Sequence, residues 1–128
     1  MRYLADTHAV LWWLSGNTQL PVSVRAVMAD DSNTILVSAA SAWEITTKHR
    51  LGKLPEAANL ASDVERGLRR EGFSPLTITM SHAENAGRLD RSHNDPFDRL
   101  LIAQALAEGL ILISNEAVFD RFGVQRVW

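Results

Sequence analysis

The sequence predicts an α/β protein, a three-layer α/β/α sandwich built on a central parallel sheet of four to five strands. Short apolar segments with strand character alternate with helical segments along the chain, a pattern typical of parallel sheets covered by helices on both faces. The segment TILVS at residues 34–38 contains a continuous apolar run, which indicates a strand buried on both sides. The 128 residues, 46% of them apolar, suit a single domain over 1–128 with a sizeable core.

Two strands and three helices are predicted in the first part of the chain. Two of these helices end at Gly16 and Gly52, because glycine easily takes the left-handed conformation that follows a helix. The remaining helix opens at Pro21, a residue suited to the first helical turn. In order, the predicted segments are a strand at 2–6, a helix at 7–16, a helix at 20–31, a strand at 33–41 and a helix at 41–52.

The remainder of the chain continues the alternation. The long helix that begins with DPFDRLLIAQAL is strongly apolar and leads into the strand segment GLILISN. The closing residues VQRVW suit a strand at the edge of the sheet. In order, the predicted segments are a helix at 56–72, a strand at 74–80, a helix at 81–89, a helix from 95, a strand at 109–115, a short helix at 116–123 and an edge strand at 124–128.

Composition excludes several classes of protein. The net charge of −2 argues against a strongly basic nucleic-acid binder, so contact with nucleic acid must depend on a local patch. Without cysteine there are no disulfides, thiolate zinc sites or cysteine nucleophiles. The start MRYLADTHAV lacks the features of a signal peptide, and no apolar stretch is long enough to span a bilayer. These features lead us to expect a cytoplasmic protein.

Five acidic residues fall where a parallel sheet would bring them together. Asp6 ends the first predicted strand, and Glu116 follows the strand at 109–115. Glu44 is expected in the first turn of its helix, while Asp95 and Asp98 open the helix that follows them. Helices that run antiparallel to the strands begin at the carboxyl edge of the sheet, where sites form in open α/β sheets. We therefore expect all five carboxylates at that edge.

Each acid also has a purely structural explanation. Asp95 is a good N-cap, Pro96 suits the first helical position, and Asp98 in the first turn complements the helix dipole. Ser41 and Glu44 have the spacing of a capping box. Capping does not explain why acids stand at every relevant helix start, and five converging carboxylates would repel one another. A divalent cation removes that repulsion.

The donor types narrow the choice of metal and of chemistry. Carboxylate and water ligands suit Mg²⁺ or Mn²⁺, whereas zinc is disfavoured because cysteine is absent and no histidine pair has ligand spacing. A carboxylate-bound Mg²⁺ most often activates water for attack on a phosphate, which is phosphodiester hydrolysis. Nucleotide-triphosphate chemistry is unsupported because the sequence has no glycine-rich phosphate loop.

Four segments, in this order, make the chain resemble a PIN-domain ribonuclease of the VapC toxin type, from bacterial type II toxin–antitoxin systems. LADTH resembles the opening strand of that family, and SAASAWEI the segment with its second acid. DPFDRLLIAQAL is similar to the third acidic segment in one subgroup, which KHRLGKL also fits. LILISNEAVFDRFGV resembles the closing strand and turn, and the resemblance covers the whole chain.

The resemblance implies a PIN-like sandwich and Mg²⁺- or Mn²⁺-dependent cleavage of tRNA, rRNA or mRNA. It also implies a homodimer held inactive by a cognate antitoxin, with operator DNA contacted only through that antitoxin. By position, Asp6, Glu44 and Asp98 match the core acids of the family, and Asp95 lies one helical turn before Asp98. The fourth family acid is usually Asp, and Glu116 stands in its place with a longer side chain.

Further residues are expected to support the metal ligands or the substrate. We expect Thr7, Ser114 and Asn115 just behind the ligands, with Ser114 replacing the threonine more usual in the family. A basic group with Lys48, Arg50 and Lys53 suits RNA phosphates, although positive charge at the end of a helix also complements its dipole. A second basic group consists of Arg66, Arg69 and Arg70.

Three other functions compete with the ribonuclease. A catalytically weak PIN-like module would bind RNA or a protein without cleaving, and the presence of Glu116 leaves room for this interpretation. A nuclease acting on DNA would use the same metal chemistry. A phosphatase with Asp6 as the nucleophile is disfavoured, because it would need a second aspartate where the chain has His8.

Overall fold

The computed structural model describes residues 1–90 and 93–128. Five parallel strands form one sheet in the order β3-β2-β1-β4-β5. The strands are β1 (Arg2–Ala5), β2 (Thr34–Ser38), β3 (Ser74–Leu76), β4 (Ile111–Ile113) and β5 (Arg126–Val127). Since β1 lies in the middle, between β2 and β4, the residue after its end lies at the centre of the carboxyl edge.

Helices occupy most of the remaining described chain. The α-helices are α1 (Thr7–Ser15), α2 (Val22–Ala29), α3 (Ala39–Arg50), α4 (Ala58–Ser62), α5 (Val64–Arg70), α6 (Met80–Arg88) and α7 (Pro96–Glu108). Short 3-10 helices span Pro55–Ala57 and Ala117–Phe122. No helix in the described part of the chain is both long and apolar enough to cross a bilayer.

Alternate residues of the central strands point into two separate cores. On β1, Tyr3 and Ala5 join a cluster with residues of α1, α2 and α5. Leu4 points the other way, into a cluster with Leu101 and Ile102 of α7. The period of two along a strand produces this division. The sheet is therefore covered on both faces, which confirms the predicted three-layer sandwich.

The predicted boundaries need several corrections. The helix predicted at 56–72 is divided into a 3-10 turn, α4 and α5, because the side chain of Asp63 accepts a hydrogen bond from the backbone N–H of Arg66 and starts a new helix. The strand predicted at 74–80 ends at Leu76, and Thr79 caps α6. The helix predicted at 116–123 is a 3-10 helix.

The strand predicted at 33–41 ends at Ser38, so the start of α3 also differs from the prediction. The Ser38 side chain accepts a hydrogen bond from the backbone N–H of Ala40, so the helix begins at Ala39. The predicted capping box of Ser41 and Glu44 is therefore wrong, and both residues lie inside the helix. Glu44 is its sixth residue, in the second turn rather than the first. Its side chain faces the protein instead of the helix end.

Candidate active site

Asp6 lies at the end of β1, at the centre of the carboxyl edge of the sheet. Its Oδ1 accepts a hydrogen bond from the backbone N–H of Ala9 at 2.8 Å and thereby caps α1. Burial raises the pKa of Asp6 and the nearby Glu116 carboxylate adds to this, although hydrogen bonds from Ser114 and Ala9 oppose it. The side chain is only 4% exposed. Asp6 is thus a buried acid with a fixed orientation.

Glu44 is tied to the residue that follows Asp6. The Thr7 hydroxyl donates to Glu44 Oε1 at 2.5 Å, and the Ser41 hydroxyl lies 3.0 Å from the same Thr7 oxygen. Lys48, one turn further along α3, binds Glu44 Oε2 at 2.7 Å. Both oxygens of this buried carboxylate are therefore bound, and the Thr7 contact joins α1 to α3 next to Asp6.

Asp95 and Asp98 lie at the start of α7. Asp95 Oδ1 accepts hydrogen bonds from the backbone N–H groups of Phe97 at 2.9 Å and Asp98 at 3.2 Å, which confirms that Asp95 caps the helix. Asp98 Oδ2 is 2.7 Å from Nε2 of His93. Burial raises the pKa of Asp98 to about 6, with further contributions from the charges of Asp95 and Glu116 against the opposing effect of His93.

Lys48 on α3 is affected by acids of α3 and of the start of α7. Burial alone lowers the pKa of Lys48. The hydrogen bond to Glu44 and the negative charges of Glu44, Asp95 and Asp98 outweigh burial, so the pKa lies above its ordinary value. One ammonium group therefore lies within electrostatic range of carboxylates from both helices.

Glu116 connects the remaining acids. Its charge contributes to the raised pKa values of both Asp6 and Asp98. The fully buried Ser114 accepts a hydrogen bond from the backbone N–H of Glu116 at 3.0 Å, and its hydroxyl also binds Asp6. Glu116 makes no side-chain cap for the 3-10 helix that follows. Charge effects thus connect Asp6, Asp95, Asp98 and Glu116, and Glu44 joins this acidic cluster through the effect it shares with Asp95 and Asp98 on Lys48.

The three residues expected behind the ligands differ in their contacts. Thr7 binds Glu44 and Ser114 binds Asp6, both through hydroxyl groups. Asn115 is exposed, and its side chain makes no hydrogen bond to any described residue. Two of the three side chains therefore touch the carboxylates, whereas Asn115 does not.

The donor chemistry of the cluster fits Mg²⁺ or Mn²⁺. Within residues 1–90 and 93–128, no three His, Asp or Glu side chains converge closely enough to enclose a metal ion by themselves. Mg²⁺ does not need such a cage, because it usually keeps several waters and takes one or two protein carboxylates. Burial, with a smaller effect of neighbouring carboxylates, raises the pKa values of Asp6 and Asp98, and a bound cation would relieve this electrostatic cost.

Some of the predicted basic residues form ion pairs, whereas others are exposed. Lys48 neutralises Glu44. Arg50 and Lys53 are exposed and make no ion pair with any other described residue. In the second basic group, Arg66 pairs with Asp63 and Arg69 with Glu65 on the surface of α5.

Two residues close to the acids make contacts that the sequence did not predict. His93 binds Asp98. The spacing of four between Asp95 and Arg99 suits an ion pair, but the Arg99 guanidinium donates to backbone carbonyls around the end of α6. The spacing of four between Glu44 and Lys48 was a usable signal for their ion pair, whereas nothing local in the sequence indicates the contacts of Arg99.

A family model described as the PIN domain matches residues 3–125. The chain therefore belongs to the PIN-domain family. It is also similar to Ribonuclease VapC16 of Mycobacterium tuberculosis, strain ATCC 25618 / H37Rv, with 52% identity over 58 residues. That match spans 45% of this chain and 41% of the relative, so the chain matches less than half of the length of this curated relative.

Solved structures share the fold over nearly the whole chain. VapBC2 from Rickettsia felis, bound to a DNA fragment from its promoter, aligns with a TM-score of 0.72 at 18% identity, covering 99% of this chain and 98% of that one. VapBC-1 from nontypeable Haemophilus influenzae aligns with a TM-score of 0.68 at 13% identity, covering 99% and 97%. A toxin–antitoxin complex from Klebsiella pneumoniae gives 0.57 at 19% identity, covering 89% and 86%.

Proposed function

We propose that the chain is a metal-dependent endoribonuclease and the toxin of a type II toxin–antitoxin system. The observation that carries this proposal is the electrostatic cluster of five acids at the carboxyl edge of a PIN-domain sheet. Burial and neighbouring carboxylates raise the pKa of Asp98 to about 6 within this cluster. Burial also raises the pKa of Asp6, and buried acids with raised pKa values are typical of catalytic sites.

The proposed roles follow from the contacts of each side chain. Asp6, Glu44 and Asp98 would hold Mg²⁺ or Mn²⁺, one or two of them directly and the rest through the waters of the ion. Glu44, whose oxygens are bound by Thr7 and Lys48, would act through such waters or exchange one of these contacts for the metal. Asp95 and Glu116 would add negative charge near the ion. When bound, such an ion activates a water molecule for attack on phosphorus and stabilises the oxygen that leaves. Thr7 and Ser114 fix two of the carboxylates through hydrogen bonds.

The names of similar proteins support the biological setting. One relative is named a ribonuclease, and the three solved structures are toxin–antitoxin complexes. We therefore propose RNA as the substrate and a cognate antitoxin protein as the partner of this chain. A homodimer, a cytoplasmic location and contact with operator DNA only through the antitoxin belong to the same proposal.

The first test is RNA cleavage by the antitoxin-free chain. We expect discrete fragments from total RNA with Mg²⁺ or Mn²⁺ and none with EDTA, because the acids need the metal to activate water. Asp98→Asn should reduce cleavage at least 100-fold, a rough figure for loss of one metal-binding acid. The matched control is Asp31→Asn, the same change at an exposed position outside the cluster, and it should cleave like the unmodified chain.

Other outcomes would favour the competing functions. RNA binding without cleavage in either metal, by folded protein, would indicate a binding module. Cleavage of single-stranded DNA at a rate equal to RNA would indicate a nuclease that does not use the 2′-hydroxyl. Activity that survives in both Asp98→Asn and EDTA would contradict the metal mechanism.

A further inference from the structure

An exposed tryptophan lies next to the acidic cluster. Trp43 on α3 is 55% exposed, and its ring makes a T-shaped contact with the ring of Phe97 on α7, with centroids 4.7 Å apart and planes at 74°. Trp43 directly precedes Glu44, and Phe97 directly precedes Asp98. The aromatic pair therefore joins the two helices at the positions where each carries an acid of the site.

Neither core packing nor hydrogen bonding explains the position of Trp43. Its indole N–H makes no hydrogen bond to any described residue, and the ring belongs to neither core cluster. In a T-shaped pair each ring keeps at least one face clear of the other ring. A large rigid π-surface is thus held by Phe97 and still open to solvent.

Positive charge lies along the same helix. Arg50 follows Trp43 by seven residues, which places it on the same side of α3 at a distance of roughly 10 Å along the axis. Arg50 and Lys53 are exposed and make no ion pair with other described residues. An aromatic platform beside cations is the combination that binds single-stranded nucleic acid, because bases stack while phosphates contact the charges.

The charges also argue against a second copy of the chain as the occupant. The centres of protein–protein interfaces are depleted in charged residues. Trp43 instead lies on a helix that also carries the ion pair of Glu44 and Lys48. Arg50 lies on the same side of this helix as Trp43. This surrounding suits an anionic polymer better than the apolar centre of a dimer.

We propose that Trp43, supported by Phe97, is the stacking surface for a nucleobase of the RNA strand beside the cleaved bond. This inference depends on the proposed ribonuclease function and adds a base-binding position to it. Stacking on an aromatic ring tolerates every base, so Trp43 would contribute affinity and strand position more than sequence readout.

The test compares Trp43→Phe with Trp43→Leu in an Asp98→Asn background that prevents cleavage. Phenylalanine retains a π-face, whereas leucine keeps only the apolar character. The probes are a fluorescein-labelled ten-nucleotide RNA oligoadenylate and the same backbone without bases, and affinity is measured by anisotropy with Mg²⁺. We expect Trp43→Leu to bind the oligoadenylate roughly 5- to 100-fold more weakly, Trp43→Phe much less weakly, and neither change to affect the abasic probe.

The control variant is Leu106→Ala, which removes an exposed apolar side chain from α7 at about 13 Å along the helix from Phe97. It should bind both probes normally. Photocrosslinking of a 5-iodouridine decamer to the Asp98→Asn chain needs no change at Trp43, and peptide mapping should place the crosslink on Trp43. This measurement keeps the inference testable if Trp43→Leu fails to fold.

Several results would overturn the inference. Equal oligoadenylate affinities for Trp43→Leu and Trp43→Phe, or crosslinks that avoid Trp43, would refute stacking while leaving RNA cleavage intact. A change from dimer to monomer in Trp43→Leu, with RNA binding unchanged, would assign the ring to self-association. If the unmodified chain neither binds nor cleaves RNA, the proposed function fails and the stacking surface fails with it.

Discussion

Asp98 has an environment that opposes its own ionisation. Burial and the charges of Asp95 and Glu116 outweigh the hydrogen bond from His93 and raise the pKa of Asp98 to about 6. A carboxyl whose pKa is higher in the folded chain than in the unfolded chain lowers the free energy of unfolding when it ionises. The same property that prepares this residue for a cation therefore makes it a source of instability without one.

Replacement of Asp98 by Asn should stabilise the metal-free chain. The pKa of Asp98 is about 6 in the folded chain against 3.8 for the free carboxyl, so the free energy of unfolding falls as pH rises from about 4 to 6. Asn cannot ionise and avoids this loss. We expect Asp98→Asn to be more stable by on the order of 2 to 3 kcal/mol at pH 7.

Urea unfolding in EDTA over the range of pH 4 to 7 measures this effect. The advantage of Asp98→Asn should be smallest near pH 4, where the carboxyl is protonated in the folded chain and about half protonated in the unfolded one. A constant difference across the pH range would mean that burial does not control this residue.

At the level of the element, the start of α7 combines a helix cap with a charge in the site. Asp95 accepts two backbone hydrogen bonds through Oδ1, while its charge acts on both Asp98 and Lys48. Sequence spacing predicted both properties, and the structure confirms the cap. The role as a metal ligand stays a prediction.

Two substitutions separate the cap from the charge. Asn caps helices about as well as Asp, so Asp95→Asn should keep the stability of the chain within about 0.5 kcal/mol while RNA cleavage falls. Asp95→Ala should lose about 1 kcal/mol of stability as well as cleavage. Thermal unfolding and single-turnover cleavage provide the two measurements. Full cleavage by Asp95→Asn would show that Asp95 acts only as a helix cap and that its charge is not needed for cleavage.

Arg99 binds backbone carbonyls at the end of α6, just after it and at His93. All five of its N–H groups have backbone carbonyl partners at distances between 2.5 and 3.4 Å. Those carbonyls belong to Ala86, Gly87, Leu89, Asp90 and His93. Lysine has only three N–H donors and no planar fork, so it cannot replace this arrangement.

Arg99→Lys should therefore destabilise the chain by about 2 to 4 kcal/mol, because several carbonyls lose a charged donor. The control is Arg88→Lys, whose ion pair with Glu84 is exposed on both sides and should change stability by less than about 0.5 kcal/mol. Chemical unfolding of both variants measures the difference. Equal effects would show that the charge of Arg99 matters and its fork does not.

At the level of the whole molecule, the order of strands and helices was easier to predict than the side-chain contacts that join them. The apolar segments 34–38 and 109–115 and the glycine-closed helices follow periodic rules that act within a few residues, so the sandwich was predicted correctly. The division at Asp63 depends on one side chain competing for the backbone. The carbonyls bound by Arg99 lie up to 13 residues away along the chain, where no periodic rule applies.

A metal shared by distant segments should stabilise the entire fold. We expect saturating Mn²⁺ to raise the melting temperature, because at 100 times Kd a ligand of the folded state adds about 2.7 kcal/mol. Asp98→Asn should show a much smaller increase, and Asp31→Asn the full one. Differential scanning calorimetry with EDTA reversal measures the effect. No shift up to millimolar Mn²⁺ in the unmodified chain would contradict a metal bound by these acids.

The position of β1 between β2 and β4 also determines when the site can assemble during translation. Asp6 leaves the ribosome before its neighbours Ser114 and Glu116, which follow β4, the strand that pairs directly with β1. A nascent chain that has not yet reached residue 116 therefore lacks a complete acidic cluster. Under the proposed function, a ribosome translating this chain is spared its activity until that segment has emerged and folded. Under the same proposal, translation interrupted before residue 116 would release fragments that leave RNA intact.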